Sequence, residues 1–331
     1  MATLKDVAAL AHVDVSTVSR ALNNSSYVHP DTKARVMAAV KELSYKPNVL
    51  ARGLRHGKLN TIAIVIPKIN YSIFSHVAFG VEKEAQAKGY AVIMVNTGND
   101  GVIEKESLNK LRNSFIDGMI IASTGSNKRL IRDINTEIPV VQFVRCFDPN
   151  ISCVDVNYTE IGYKAVYHLY EKGCRRIAII NASIPLAPYM ERYTGYKRAL
   201  SELGLEEIAI SKESLLQDIF YGYECTLDLL DKYDDIDAVL MAGDAQAMGA
   251  LRALKERKIS VPEQIKVMSM TGTEVGSMLE TSLTSFELPE EEIGSQAALM
   301  LIRAIEAPKD QKPSVQHLTL SARLEEREST M

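Results

Sequence analysis

The chain has 331 residues, of which 46% are hydrophobic and 24% charged, with a formal net charge of −4. This length allows two or three domains, no apolar run approaches the ~18 residues of a membrane span, and the N-terminus lacks the apolar segment of a secretory signal. We therefore expect a cytoplasmic protein with no membrane partner. The four cysteines have neither CxxC nor zinc-like spacing, so we expect reduced, mostly buried thiols at Cys146, Cys153, Cys174 and Cys225.

Charge is divided unevenly along the chain. Residues 1–58 contain nine Lys or Arg and four Asp or Glu, a net charge of +5, which leaves −9 on residues 59–331. A basic N-terminal module on an acidic body is typical of a nucleic-acid-binding part joined to a part that avoids nonspecific nucleic-acid contact.

The first residues predict two short helices separated by a tight turn. Apolar residues recur at helical spacing over 3–11 and 15–22, with a break at 12–14. Two helices joined by a turn of three or four residues form a helix-turn-helix, whose second helix enters the DNA major groove. The apolar faces that pack these helices together are predicted to contain Val7, Ala8, Ala11, Val18 and Leu22.

The opposite face of the second helix is predicted to read DNA. Arg20 has the bidentate donors that match guanine, and Val15 is suited to contact a thymine methyl group. Asp14 precedes the helix, where an N-cap belongs. Hydroxyl groups for phosphates or bases are supplied by Ser16, Thr17 and Ser19.

A third helix, opened by Pro30 and Asp31, is predicted to close a three-helix core. Its apolar positions are Ala34, Val36, Val40 and Leu43. The runs Thr3-Leu-Lys-Asp-Val-Ala8, Thr17-Val-Ser-Arg-Ala-Leu-Asn23 and Tyr45-Lys-Pro-Asn48 together resemble the headpiece of the LacI/GalR family of bacterial repressors. This resemblance covers essentially the whole chain.

The resemblance implies a role for each headpiece segment. Residues 1–46 would form the helix-turn-helix domain, and residues 47–60 a hinge and linker that folds on operator DNA. Leu54 would be wedged into the minor groove and kink the duplex, with Ala51 in the same groove. Asp14 stands where the family usually has Ser, and its carboxylate would repel phosphate. The DNA-binding residues implied are Thr3, Val15, Ser16, Thr17, Ser19, Arg20, Asn23, Ala51 and Leu54.

From Thr61 onward, short β-branched apolar runs alternate with helical stretches, which is typical of parallel sheets covered on both faces. The strands are predicted at 61–67, 90–96, 118–122, 139–144, 176–181, 207–211, 238–242, 265–269, 283–286 and 315–320. So many strands favour two α/β lobes with a ligand cleft between them.

The resemblance implies that this core is folded like a two-lobed periplasmic sugar-binding protein. The core would span 61–331. The helix at 290–305 would return to the first lobe, and the strand at 315–320 would complete the second. The implied bounds are about 61–157 and 288–312 for the first lobe, and about 158–287 and 313–331 for the second.

The resemblance also implies a small-molecule effector, a sugar or related metabolite, between the lobes. Arg192, in an Arg-x-x-Gly motif, and Asp244 would bind it through hydrogen bonds. The other implied contacts are Ile73, Phe74 and Arg145. Polar family positions are replaced here by Val144, Thr271 and Leu288.

These replacements leave the pocket short of acceptors for an ordinary sugar, because each buried hydroxyl needs a partner. Three possibilities follow: the effector has fewer hydroxyls, or it is an anion held by Arg145 and Arg192, or the site is degenerate and another signal regulates the protein.

An enzyme is not predicted. The chain has no Walker, GxGxxG or GxSxG pattern, and the acidic groups 234–235 and 290–292 are interpreted as solvated charges. We expect no cofactor and no metal. The resemblance implies a homodimeric transcriptional regulator, a repressor of a metabolic, carbohydrate-related operon, which binds a pseudo-palindromic operator and reaches the nucleoid when bound. The alternatives are a solute-binding protein of a transporter and a sugar-processing enzyme.

Overall fold

The computed structural model describes residues 2–23, 27–45, 59–114, 116–181, 186–212, 218–308, 311 and 313–331. The chain divides into two compact units, Met1–Leu59 and Asn60–Met331. The predicted hinge segment, with Ala51 and Leu54, lies outside the described residues. Within the described part of the chain, every helix is too short or too polar to cross a membrane.

The first unit contains α1 (Leu4–Ala11), α2 (Val15–Asn23) and α3 (Pro30–Glu42). Helix α1 begins after Thr3, whose backbone N–H and hydroxyl both donate to the Asp6 carboxylate, while the Thr3 hydroxyl accepts from the Asp6 N–H. This capping box satisfies two donors that a helix start would otherwise leave unpaired. The helix ends at His12, which adopts the left-handed conformation with φ of 52°.

The three helices enclose a small apolar core, as predicted. The buried residues are Val7, Ala8, Ala11, Val18, Ala21, Val36 and Ala39. Leu22, Val40 and Leu43 pack against them while partly exposed. The prediction for Ala34 is wrong: it is exposed, because the inward positions of α3 fall at Val36 and Ala39, one helical turn apart.

The second unit alternates strands and helices. In chain order the elements are β1 (Thr61–Ile66), α4 (Ser72–Ala87), β2 (Ala91–Asn96), α5 (Gly101–Arg112), β3 (Gly118–Ile121), α6 (Lys128–Glu137), β4 (Val140–Phe143), β5 (Ser152–Val156), α7 (Tyr158–Glu171), β6 (Ile177–Ile180), α8 (Ala187–Leu203), β7 (Ile208–Ile210), α9 (Ile219–Lys232), β8 (Ala238–Met241), α10 (Asp244–Glu256), β9 (Lys266–Gly272), β10 (Thr284–Glu287), α11 (Glu290–Glu306), β11 (His317–Leu320) and β12 (Arg323–Glu325). Short 3-10 helices occur at Glu274–Met278 and Glu328–Thr330.

The strands form two six-stranded sheets, which define the two lobes. The strand order is β11-β5-β4-β3-β1-β2 in the first and β12-β10-β9-β8-β6-β7 in the second. Among the described residues all strand pairs are parallel except β10 with β12. In both sheets the central strands are buried, because helices cover both faces.

A strand is present at 317–320, as predicted, but its predicted place in the second lobe is wrong. It forms β11, which pairs with β5 in the first sheet, with Leu318 opposite Val154. Leu318 and Leu320 pack on the core of that lobe, which explains the pairing. The second sheet is instead completed by β12, so the last change of lobe follows Leu320 and does not occur at 313.

In the described residues the chain therefore passes between the sheets three times. The crossings are at 156–158, at 287–290 and at 320–323. The carboxyl ends of the parallel strands in each lobe face the cleft, where ligands of open α/β sheets bind.

The prediction that all four cysteines are reduced is wrong for two of them. Cys146 and Cys153 form a disulfide, with Cα atoms 6.2 Å apart, while Cys174 and Cys225 are free and buried. The turn between β4 and β5 brings the first two side by side, because the Gln142 amide donates to two carbonyls within that turn. An Asp155 carboxylate lies nearby, but bridged sulfurs offer no thiolate to a metal.

Candidate DNA-binding and effector sites

Helix α2 presents a polar face to solvent. Ser16 and Arg20 are exposed, and 40% of the Val15 surface is exposed, whereas Val18 on the opposite face is fully buried. The Arg20 Nε donates to the Ser16 carbonyl at 3.3 Å and its Nη2 donates to the Thr17 hydroxyl at 3.4 Å. The guanidinium therefore lies along its own helix, held by weak bonds that a nucleic acid can replace.

The other predicted DNA contacts differ in their surroundings. Thr17 and Ser19 are half-buried at the edge of the exposed face. Thr3 is exposed and serves as the N-cap of α1. The carbonyl of Asp14 accepts the first backbone bonds of α2, which places this residue where an N-cap belongs. The side chain of Asn23 lies outside the described part of the structure.

The first-lobe wall of the cleft is built around Arg145, which follows β4. Only 7% of its surface is exposed. Its Nη1 donates to Asn99 Oδ1 at 2.7 Å and to the Ser123 carbonyl at 3.3 Å, and its guanidinium lies 5.3 Å from the centre of the Phe74 ring. The predicted contact Ile73 is half-buried beside Phe74. The ends of β2, β3 and β4 thus fix one guanidinium in the cleft.

The backbone before Arg145 adopts a rare conformation. Val144 has a φ of 59°, which a β-branched residue avoids, and its N–H donates to the Val154 carbonyl at 3.0 Å. Such conformations cost roughly 1–3 kcal/mol and cluster at ligand-binding sites. The surrounding sheet therefore holds Val144 in a turn that directs the next residue toward the cleft.

The second-lobe wall is built around Arg192, on α8, with 5% of its surface exposed. Its Nε donates to the Pro188 carbonyl at 2.9 Å, and its Nη1 donates to the Ala242 carbonyl and the Thr271 hydroxyl. The guanidinium lies 5.2 Å from the Tyr158 ring centre and 5.1 Å from that of Tyr189. Bonds and aromatic rings thus hold Arg192 rigidly.

Two carboxylates complete the cleft. Asp244 Oδ2 accepts from the Thr273 N–H at 2.7 Å, and Glu290 pairs with His76. The interpretation of Glu290 as a solvated charge is wrong, since only 6% of its surface is exposed. It is buried because α11 begins where it packs against α4. Burial raises the pKa of Glu290 to about 7 and raises that of Asp244 as well.

Several buried polar atoms at the cleft accept or donate no hydrogen bond within the described residues. They are the Tyr158 hydroxyl, Asn181 Oδ1, Asp244 Oδ1 and Glu290 Oε1. Since buried polar groups are nearly always paired, these atoms are suited to contact a polar ligand. They follow β5, β6, β8 and β10, at the carboxyl ends of the strands.

The structure brings together Phe74, Arg145, Arg192 and Asp244 of the predicted effector site. Four further polar residues of the cleft were not predicted from the sequence: Asn99, Ser123, Tyr158 and Asn181. Each of them lies within three residues of the carboxyl end of a strand, at Asn96, Ile121, Val156 and Ile180. A polar residue directly after a predicted strand was therefore the sequence pattern that could have identified them.

Comparisons with known proteins match both parts of the chain. Residues 3–48 match the model of the bacterial regulatory proteins of the lacI family, and residues 166–330 match the periplasmic binding protein-like domain. The ribose operon repressor of Halalkalibacterium halodurans is 32% identical over 306 residues, which cover 92% of this chain and 91% of the relative.

Two solved structures are similar over almost the whole chain. A LacI-family transcriptional regulator from Silicibacter pomeroyi has a TM-score of 0.84 at 26% identity, covering 100% of this chain and 99% of the other. The complex of the transcriptional regulator CelR with cellobiose has a TM-score of 0.71 at 28% identity, covering 99% and 100%.

A helix-turn-helix unit in the same chain as a two-lobed binding core defines a class of protein: bacterial transcriptional regulators that bind DNA and are not enzymes. Within that class, this chain belongs to the LacI family. It is a sequence-specific DNA-binding regulator of transcription.

Proposed function

We propose that the protein is a homodimeric repressor of a carbohydrate-related operon in the cytoplasm, and that a small molecule in the cleft controls it. Each headpiece, residues 1–46, would bind one half of a pseudo-palindromic operator. The exposed Val15, Ser16 and Arg20 side chains support base reading by α2. The 32% identity to a ribose operon repressor supports the kind of genes regulated.

The effector part of the proposal depends on one observation. Two buried guanidinium groups, Arg145 from the first lobe and Arg192 from the second, line a cleft that also contains unpaired polar atoms. Asp244 is suited to accept from ligand hydroxyl groups. A ligand that bridges the lobes binds their closed arrangement more tightly than their open one, and it shifts the population by that difference in affinity.

Transmission to DNA would use residues 47–60 as hinge and linker. We propose, from the family resemblance, that Leu54 enters the minor groove with Ala51 beside it, and that a change of lobe closure alters the separation of the two hinges. Folding coupled to DNA binding makes such a segment sensitive to small changes in its surroundings. Leu54→Ala is then expected to weaken operator binding and to leave thermal unfolding of the core unchanged.

A selection of genomic fragments on the purified full-length protein, followed by a gel shift at physiological salt, tests the regulator proposal. The expected result is a site bound far more tightly than random duplex, with two related half-sites. Equal affinity for all duplexes would contradict it. Neither the solute-binding protein nor the sugar-processing enzyme considered above predicts any selected site, so the same assay separates the three functions.

A further inference from the structure

We propose that the effector carries an anionic group, a phosphate or a carboxylate, held by Arg145 of the first lobe and Arg192 of the second. This inference rests on the proposed function, since it names the chemical class of the ligand of the same cleft.

Each guanidinium keeps donors for a ligand. The Nη1 of Arg145 makes its bonds to Asn99 and Ser123, and no described residue accepts from its Nε or Nη2. These two atoms form the edge of the guanidinium that binds carboxylate or phosphate through two parallel bonds. Arg192 uses Nε and Nη1, so its Nη2 makes no bond within the described part of the chain.

Within the described residues neither guanidinium forms an ion pair with a carboxylate, although Glu191 acts electrostatically on Arg192. The described ion pairs include neither Arg145 nor Arg192, although both side chains are more than nine-tenths buried. Arg145 feels the charge of Glu104, but that carboxylate already accepts from Ser123, Thr124 and Asn127. Burial lowers the pKa of both arginines, which remain protonated at neutral pH because an arginine starts far above it. A buried cation without a counterion is costly.

The two arginines share aromatic neighbours. The Arg192 guanidinium lies 5.2 Å from the Tyr158 ring centre and 5.1 Å from that of Tyr189, and both tyrosines also act electrostatically on Arg145. An anion that contacts both guanidinium groups gains an attraction to each lobe, so it favours closure in a way that a neutral ligand does not.

The remaining polar groups favour a hydroxylated anion. Asp244 Oδ1 and Asn181 Oδ1 are buried acceptors without a described partner, on the second-lobe side with Arg192. Carboxylate oxygens accept hydroxyl protons, while they repel a second anion. The cleft therefore fits a sugar acid or a sugar phosphate, with its anionic group at the arginines and its hydroxyl groups at Asp244 and Asn181.

The test uses the full-length protein and sets of related ligands in which a neutral sugar is compared with its anionic derivatives. Thermal shift and calorimetry would compare ribose with ribonate and ribose 5-phosphate, and glucose with gluconate and glucose 6-phosphate. Inorganic phosphate and sulfate would be compared with chloride at equal ionic strength. The variants are Arg145→Gln, Arg145→Lys and, as a control on the exposed face of α10, Arg252→Gln.

We expect an anionic member of a set to bind roughly tenfold or more tightly than its neutral counterpart. Arg145→Gln should remove this preference, Arg145→Lys should retain part of it, and Arg252→Gln should not change it. The carboxylate and phosphate ligands show which anion is preferred. Circular dichroism and operator binding of Arg145→Gln check that the variant is folded.

Three results would overturn the inference: a neutral sugar that binds as tightly as its anionic counterparts, anion binding that survives Arg145→Gln in a folded variant, or no Arg145-dependent stabilisation by any anion, inorganic ones included. In each case an operator gel shift on the same preparation reports separately on the proposed function. Neutral-sugar binding that is lost in Asp244→Asn would preserve the effector cleft while rejecting the anion.

Discussion

Gly162 on α7 and Gly195 on α8 lie against each other's helix backbone. A Cβ on Gly162 would overlap the carbonyl oxygen of Arg192, and a Cβ on Gly195 would overlap that of Thr159. The two helices therefore approach more closely than any other residue permits. Because the backbone in contact with Gly162 is that of Arg192, this close packing sets the position of a ligand-binding side chain.

Gly162→Ala is expected to destabilise the second lobe and to displace Arg192. Overpacking of this kind costs typically 1–3 kcal/mol. Thermal unfolding should show the loss, and any ligand-induced stabilisation that depends on Arg192 should decrease with it. Gly294→Ala is the matched control, because its Cβ would overlap the Val77 carbonyl in the first lobe. Gly294→Ala should destabilise the protein to a similar degree with a smaller effect on ligand binding. Equal losses of ligand binding in the two variants would show that Gly162 does not act through Arg192.

Arg20→Ala is expected to remove the preference for one base pair of each half-site, at a cost of about 1–3 kcal/mol. The weak bonds of Arg20 to Ser16 and Thr17 contribute little to folding, so the headpiece should unfold at an unchanged temperature. Competition gel shifts with single-base operator variants measure the change. A uniform loss of affinity across all sequences would instead identify Arg20 as a phosphate contact.

Thr3 allows a structural role to be separated from a DNA contact. Thr3→Ala removes the cap of α1 and should destabilise the headpiece by about 0.5–2 kcal/mol. Thr3→Asn keeps a capping oxygen and should retain stability. Headpiece unfolding and operator affinity, measured for both variants, separate the roles. If Thr3→Ala leaves unfolding unchanged, the capping box contributes nothing measurable.

Asp155 is expected to make stability depend on pH. Burial raises its pKa from 3.8 to about 7. Between these values the folded protein keeps a proton that the unfolded chain releases, so stability falls as the pH rises through this range. Above about pH 7 the loss of stability stays constant. Asp155→Asn should therefore be more stable than the wild type above about pH 7, by on the order of 1–3 kcal/mol. This difference in stability should vanish near pH 4. Denaturant unfolding of both proteins near pH 4 and above pH 7 measures it. The same difference at both pH values would show that Asp155 does not have a raised pKa in the folded protein.

Most of the fold could be predicted from the sequence, because the buried parallel strands are continuous apolar runs. Thr61–Ile66 and Ala238–Met241 are of this kind. The strands β5 and β12 were not predicted. β5 includes Ser152 and Asp155, and β12 is three residues long with charged residues at both ends, so neither has the apolar signal of a central strand.

The site could be predicted only in part. Arg192 and Asp244 lie in local motifs that the family resemblance covers, and for that reason they could be predicted as effector contacts. Glu290 is buried by the packing of α11 on α4, and Tyr158 by the crossing after β5, and such long-range contacts leave no local pattern. The partner of Cys146 was missed for the same reason, since two sulfurs seven positions apart meet only if the intervening turn folds back.

The three chain crossings between the sheets have a mechanical consequence. A single connecting strand would let the lobes swivel in any direction, but segments at 156–158, 287–290 and 320–323 must all bend at once. Three parallel connections restrict twisting and sliding more than one connection would, so a hinge-like opening and closing is the relative motion of the lobes that they oppose least.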